Sequence, residues 1–264
     1  MNNRQTTQWW RDSAAAEGLS IMDRHVSDSD DWRSAERTGT ADFAQAVKAT
    51  ELPVGLNLKI LEIGCGAGRM TATLARRFGS VVAVDVAPKF IDMARIHSRA
   101  NNVDFRVLDG ESLEPVANGK YDVVFAYEVF HYLEPQVLRR YIADAHKLLK
   151  PGGTLAVQFN TQAVSLRTHA SRLVRRTLHH LGVRHWRGWP TAPQFCHRTY
   201  QPDWIFNTMM EAGFDSAKST QPGGRCSWFV AAKAGRPDVQ HAEPSSWHRS
   251  GVDPSATRTR ALAR

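Results

Sequence analysis

The chain has 264 residues, 42% of them hydrophobic and 23% charged, which suits a folded globular chain of one large domain. No stretch approaches the ~20 consecutive apolar residues of a membrane helix. The opening residues, MNNRQTTQWWRDS, carry no apolar leader core. Three cysteines (Cys65, Cys196, Cys226) are too few and scattered for a disulfide framework or a metal cluster, so a cytoplasmic chain with no metal is expected. The net charge of +8 is local. Residues 161–190 hold six arginines, four histidines and no acid, and residues 235–264 add +2, which leaves a neutral body. That distribution argues against a nucleic-acid surface spread over the fold.

In chain order, residues 1–50 are polar and mixed and are expected to form a helical lid segment. Trp9, Trp10 and Trp32 stand in it as isolated large aromatics, and Ser27–Asp31 is an acidic run. Within the segment, Thr40–Thr50 has the apolar spacing of a short helix, through Phe43, Ala46 and Val47. From Leu58, apolar runs of strand length alternate with helical stretches. The strands are expected at Leu58–Ile63, Val81–Asp85, Val103–Leu108, Tyr121–Ala126 and Thr154–Phe159. The helices fall at Met70–Phe78, Phe90–Ala100 and Gln136–Leu149, the last stopped by Lys150-Pro151-Gly152-Gly153. Such alternation predicts an α/β fold with a parallel sheet between helices.

About 40 residues then interrupt the alternation, too many for an ordinary connection. They carry one apolar helical stripe, Leu166, Ala170, Leu173, Val174, Leu178 and Leu181, with most arginines and histidines outside it. This basic segment, 161–200, is expected to be an inserted helical cap. A helix at Asp203–Ala212 and strands at Phe214–Ser219 and Trp228–Lys233 follow. Residues 235–264, rich in proline, serine and arginine, are expected to be a disordered tail.

The chemistry concentrates at Leu61-Glu62-Ile63-Gly64-Cys65-Gly66-Ala67-Gly68-Arg69-Met70, between a strand and a helix. Glycines there let the backbone turn sharply and approach a ligand. A dinucleotide fingerprint would place glycine at position 69, where this chain has Arg69. Asp85 ends the second strand, where a carboxylate can accept both hydroxyls of a ribose, and Asp109 ends the third.

These residues resemble the class I S-adenosylmethionine-dependent methyltransferases over roughly 55–160, and more weakly to 233. Glu62 to Gly68 is similar to the family's first motif, Asp85 to its ribose acid and Asp109-Gly110 to its adenine-side turn. Tyr121-Asp122-Val123-Val124-Phe125 and Leu148-Leu149-Lys150-Pro151-Gly152-Gly153 match its fourth-strand and pre-fifth-strand motifs. The resemblance implies a Rossmann-like, doubly wound seven-stranded sheet with one antiparallel strand, occupying residues 51–234. It implies S-adenosyl-L-methionine as cofactor, held by Glu62, Gly64, Cys65, Gly66, Gly68, Asp85, Val86, Asp109, Gly110 and Tyr127.

His131, just past the fourth strand, matches the segment that carries a base in several small-molecule and sugar O-methyltransferases, with Glu128 as its orienter or a cofactor contact. An ordinary histidine pKa of ~6.5 suits that task, although a packing histidine fits the position too. His197, Arg198 and Tyr200 resemble the family's acceptor-contacting segment. The expected reaction is methyl transfer to a hydroxyl of a small molecule or saccharide, with N- or C-methylation of a natural-product or lipid acceptor as the alternative. A non-catalytic protein keeping the fold is disfavoured by the intact glycine loop, Asp85 and Asp109. The basic cap could hold an anionic acceptor or rest on a membrane surface. An RNA acceptor is disfavoured, because Ala126-Tyr127-Glu128-Val129 stands where amino-group nucleic-acid methylases carry Asn/Asp-Pro-Pro-Tyr/Phe.

Overall fold

The structure is a computed structural model and describes residues 2–17, 21, 31–187, 189–220 and 226–235. Most of the expected disordered tail and of the acidic run Ser27–Asp31 lie outside the described residues.

Two helices, α1 (Asn3–Glu17) and α2 (Trp32–Thr50), precede the sheet. The second starts well before the expected Thr40. Asp31 caps it by accepting from the Ser34 N–H at 3.0 Å, and its first turns carry polar residues that give no apolar period. Then come β1 (Gly55–Ile63), α3 (Thr71–Arg77), β2 (Phe78–Asp85), α4 (Pro88–His97), β3 (Val103–Val107), β4 (Tyr121–Ala126), α5 (Pro135–Leu148) and β5 (Leu149–Asn160). Lys150–Gly153, expected as a turn before the fifth strand, begins that strand instead, and the β4–β5 register shifts between Tyr121 and Val123 to admit it.

The cap follows as α6 (Leu166–His180) and a short hairpin of β6 (His185–Trp186) and β7 (Trp189–Pro190). The chain closes with α7 (Pro202–Glu211), β8 (Ser216–Thr220) and β9 (Cys226–Ala232). The main sheet has seven strands in the order β3-β2-β1-β4-β5-β9-β8. Its pairs are parallel except those of β9, which runs antiparallel to both β5 and β8.

The strands read as nearly continuous apolar runs because both faces are covered, and period-two alternation sorts their side chains. Leu61, Ile63, Val82, Val84, Val124 and Ala126 pack with Leu138 and Ile142 of α5 and Ile205 and Met209 of α7. Ile60, Val81, Ala83, Val123 and Phe125 pack on the other face with Phe43 of α2, Leu74 of α3 and Ile91 of α4. Strand order reverses around β1, with β2 on one side and β4 on the other. In such sheets the crevice beyond the carboxyl ends of these strands is where ligands bind.

A cavity between the sheet edge, the N-terminal helix and the cap

A cavity of about 1300 Å³ occupies that crevice. Its floor is the turn after β1, its near wall the ends of β2 and β4, and its roof α1, α2 and the cap. The turn is built tightly. Gly64 has φ +75°, and a Cβ on it would lie 2.2 Å from a methyl of Val129, which itself lines the cavity. No other residue type fits there without displacing the segment after β4.

Two carboxylates face the floor. Glu62 is buried, falls on the same strand face as Ile60, and accepts a 2.6 Å hydrogen bond from the Thr71 hydroxyl at the start of α3. Burial pushes its carboxyl up to about 7, against the downward pull of the Thr71 bond and of Arg69. Asp85 at the end of β2 accepts from the Gly66 and Ala87 N–H groups, one on each oxygen, both at 2.9 Å. Burial raises its pKa as well, and those backbone donors oppose the rise.

Each Asp85 oxygen keeps acceptor capacity for a ligand hydroxyl. A buried Glu62 costs least when ionised beside a cation. A diol at Asp85 and a positive group near Glu62 describe the donors of an S-adenosylmethionine-like molecule, so the residues present fit the cofactor implied by the resemblance.

Eight of the ten expected cofactor residues line the cavity: Glu62, Gly64, Cys65, Gly66, Asp85, Val86, Gly110 and Tyr127. Gly68 and Asp109 do not. Gly68 turns the chain against Ala94 of α4. The Asp109 carboxylate faces its own turn and accepts from the Glu111 N–H at 2.7 Å and the Ser112 N–H at 3.2 Å. The neighbouring Gly110 carbonyl accepts from the Asn3 side chain at 2.6 Å, which seats α1 over this end. Asn3, Thr6, Thr7 and Trp10 of α1 therefore line the cavity, as does Asp42 of α2, which pairs with Arg69 at 2.6 Å.

At the far end the expected catalytic and acceptor residues separate. Glu128 lines the cavity with its backbone at φ +55°, an uncommon conformation for a side-chain-bearing residue. His131, the expected base, does not line it. Its side chain is fully buried, and its ring lies against that of His197, tilted by 31° with centroids 4.0 Å apart. A general base must come within hydrogen-bond reach of the acceptor's proton. In this structure the ring that faces the cavity is that of His197.

His197 Nε2 shares a 2.9 Å hydrogen bond with the Tyr132 hydroxyl, and both residues line the cavity. The pair is held by the backbone, since the Arg198 N–H donates to the His131 carbonyl at 2.8 Å. Arg198 itself points elsewhere, into an ion pair with Glu134 at 3.1 Å. Tyr200 is buried against Phe159 and Trp204, donates its hydroxyl to the Leu133 carbonyl, and does not reach the cavity.

Trp10, Trp189 and Phe195 complete the aromatic wall. Trp10 meets Tyr132 edge-on at 5.0 Å, and Trp189 lies 5.8 Å from Phe195. The inner face of α6 contributes Arg172 and Arg175, which also donate to the His197 and Pro190 carbonyls at 2.8 and 3.3 Å. Among the described residues no group of three or more His, Cys, Asp and Glu could hold a metal ion.

Residues 60–153 match a family model described as a methyltransferase domain. The chain is 38% identical over 100 residues to a ubiquinone biosynthesis O-methyltransferase of Xanthomonas campestris pv. campestris, a match covering 37% of this chain and 41% of that one. It is 33% identical over 132 residues to the same-named protein of Xanthomonas oryzae pv. oryzae, covering 46% and 54%. The match thus spans about half the length of these relatives. Among solved structures, magnesium protoporphyrin IX methyltransferase from Synechocystis with bound S-adenosylhomocysteine superimposes with a TM-score of 0.56 at 19% identity, over 87% of this chain and 100% of that one. An O-methyltransferase family protein from Burkholderia thailandensis gives 0.54 at 19% identity, over 89% and 71%. At such identities these two show a shared fold.

Proposed function

We propose that this chain, whose residues 60–153 match a methyltransferase-domain model, is a class I S-adenosylmethionine-dependent methyltransferase that transfers the cofactor's methyl group to a hydroxyl of a small molecule. One observation carries the reading. A single cavity joins the glycine turn, Glu62 and Asp85 at one end to the Tyr132–His197 pair at the other. The names of the Xanthomonas relatives support O-methylation.

Bound at the glycine turn, S-adenosylmethionine supplies a methyl group already activated by its sulfonium charge. The protein's own task is to place the acceptor oxygen in line, exclude water and take up the hydroxyl proton. The aromatic wall of Trp10, Tyr132, Phe195 and Trp189 suits a flat acceptor, so an aromatic hydroxyl fits this end better than a saccharide. Arg172 and Arg175 on the cap side would stabilise a negative group on it, including the oxyanion left by ionisation. The Tyr132–His197 pair is the proton acceptor in this reading. His131 is a positioning residue, packed behind the His197 ring.

The test begins with calorimetric titration of S-adenosylhomocysteine into the wild type and Asp85→Ala; binding in the first and none in the second is expected. Transfer of labelled methyl to a panel of phenols and sugars then finds an acceptor. Tyr132→Phe and His197→Gln should lower its turnover by roughly 10²-fold or more with S-adenosylhomocysteine affinity unchanged. Undiminished turnover in both variants would remove the proton-acceptor assignment and favour the N- or C-methylation reading. Lack of any S-adenosylhomocysteine binding by the folded wild type would remove the function altogether.

A further inference from the structure

The cap helix α6 is amphipathic in the inverse sense to a helix packed on a core. Its polar face, with Thr168, Ser171, Arg172 and Arg175, turns inward and lines the cavity. The apolar stripe faces out. Leu166 is 88% exposed, Leu173 67% and Leu181 73%, with Val174 and Val183 beside them, and α6 has no buried residue. Scattered exposed leucines need no explanation, but a contiguous stripe along one helix marks a surface that something covers.

The surroundings of the stripe say what kind of surface covers it. Arg167 flanks it on one side, His169, Arg176 and His180 flank it on the other, and Arg184 and Arg187 sit on the adjoining hairpin, all exposed. Residues 161–190 contain no acid. A second copy of the chain would bring this basic patch against its own image, arginines facing arginines, which opposes a symmetric dimer. An apolar stripe bordered on both sides by cations fits an in-plane helix at an anionic lipid–water interface, with leucines among the acyl chains and guanidinium groups at the headgroup phosphates. The hairpin adds Trp186, with the Arg187 guanidinium 4.8 Å from its ring, a pair suited to the same interface.

We propose that the outer face of the cap, formed by Leu166, Leu173, Val174, Leu181 and the flanking arginines, docks the protein on an anionic membrane surface. The roof of the cavity then rests on the bilayer, and a water-insoluble acceptor has a short path from lipid to the aromatic wall. Docking does not depend on the proposed reaction and is tested without it.

The experiment is co-sedimentation of the full chain with vesicles of phosphatidylcholine alone and with phosphatidylglycerol added, at low and high salt. Binding is expected to the anionic vesicles only and to weaken with salt. The variant Leu166→Ser/Leu173→Ser/Leu181→Ser should lower partitioning by at least about tenfold, as should Arg167→Glu/Arg176→Glu. S-adenosylhomocysteine affinity and thermal midpoint should be retained in both, since all these side chains are exposed. No binding to either vesicle overturns the proposal, as does equal binding by the leucine variant. A wild-type dimer in sedimentation equilibrium that the leucine variant converts to monomer also overturns it, and assigns the face to a second copy instead.

Discussion

The cofactor floor and the cap solve opposite problems with similar tools. Around β1 and β2 the chain buries one carboxylate, Glu62, and half-buries another, Asp85, among apolar strands and turns a glycine loop beneath them. In the cap it does the reverse, directing guanidinium groups toward the cavity and leaving leucines in solvent. The floor spends folding stability on charges that a bound ligand can compensate. The cap leaves an apolar face that an external surface can compensate. Both regions are incompletely satisfied in the protein alone, the floor in its electrostatics and the cap in its hydrophobic area. That difference indicates which partner each awaits.

Gly64→Ala attacks the floor most directly and has the largest expected effect. The φ of +75° already disfavours a side chain, and the Cβ would sit 2.2 Å from the Val129 methyl, so the turn and the segment after β4 must separate. Calorimetry should show S-adenosylhomocysteine affinity falling by at least about 10²-fold. Affinity within threefold of wild type would mean that the turn tolerates displacement.

Glu62→Gln comes next and tests whether the floor is strained by its charge. The folded carboxyl titrates at about 7, above its ordinary value of 4.5, so between those values the folded state binds more protons than the unfolded one. The contribution of Glu62 to stability therefore declines as pH rises from 4.5 to about 7 and is flat above that. The full penalty is on the order of 3 kcal/mol above pH 7. Relative to wild type, Glu62→Gln should unfold at a similar denaturant midpoint near pH 4.5 and at a higher one at pH 8. Parallel midpoint curves for the two proteins would show that Glu62 is not held in its neutral form. The same group makes S-adenosylmethionine affinity pH-dependent, since a cation near Glu62 favours the ionised form, and affinity should fall below about pH 7 in wild type only.

The sequence carried the floor almost completely because its features are local. Apolar runs, turn glycines and the acid at the end of β2 each lie within a few residues of one another. A helical lid was expected over residues 1–50, but the bounds of α1 were not legible, because the residues it buries are mostly Asn3, Thr6, Thr7 and Ser13, which meet the polar Gly110 turn and the cavity and so give no apolar period. The pairing of Tyr132 with His197 was not legible because the two lie 65 positions apart and meet only where the chain returns beneath the cap. The stripe on α6 was visible as a period, but a period does not say which face turns inward. Here the inward turn is fixed by the Arg172 and Arg175 hydrogen bonds to the segment before α7 and to β7.

Tyr200→Phe separates scaffold from acceptor contact at the boundary between the regions. The Tyr200 hydroxyl donates to the Leu133 carbonyl, and burial lifts its pKa to about 12. Removing the hydroxyl leaves that carbonyl short of a partner, a loss of about 2 kcal/mol in denaturant unfolding. S-adenosylhomocysteine affinity should be unchanged. If unfolding is unaltered while turnover of an identified acceptor drops, Tyr200 reaches the acceptor after all, and the cavity extends further under the cap than its present lining.

Gly182→Ala closes the comparison, because it repeats the Gly64 substitution where nothing is packed. Gly182 follows α6 at φ +79°, and a Cβ there would meet nothing within 4 Å. Its cost is therefore the left-handed backbone alone, about 1 kcal/mol. That cost falls on the end of an exposed helix and should appear as faster amide exchange near Leu181 and Val183, with the global unfolding midpoint little changed. S-adenosylhomocysteine affinity should stay within twofold of wild type. A loss approaching that of Gly64→Ala would mean that the cap hairpin is coupled to the floor across the cavity. The route would run through the His185–Glu17 contact at 3.1 Å and the α1 aromatics, and the two regions would then act as one unit.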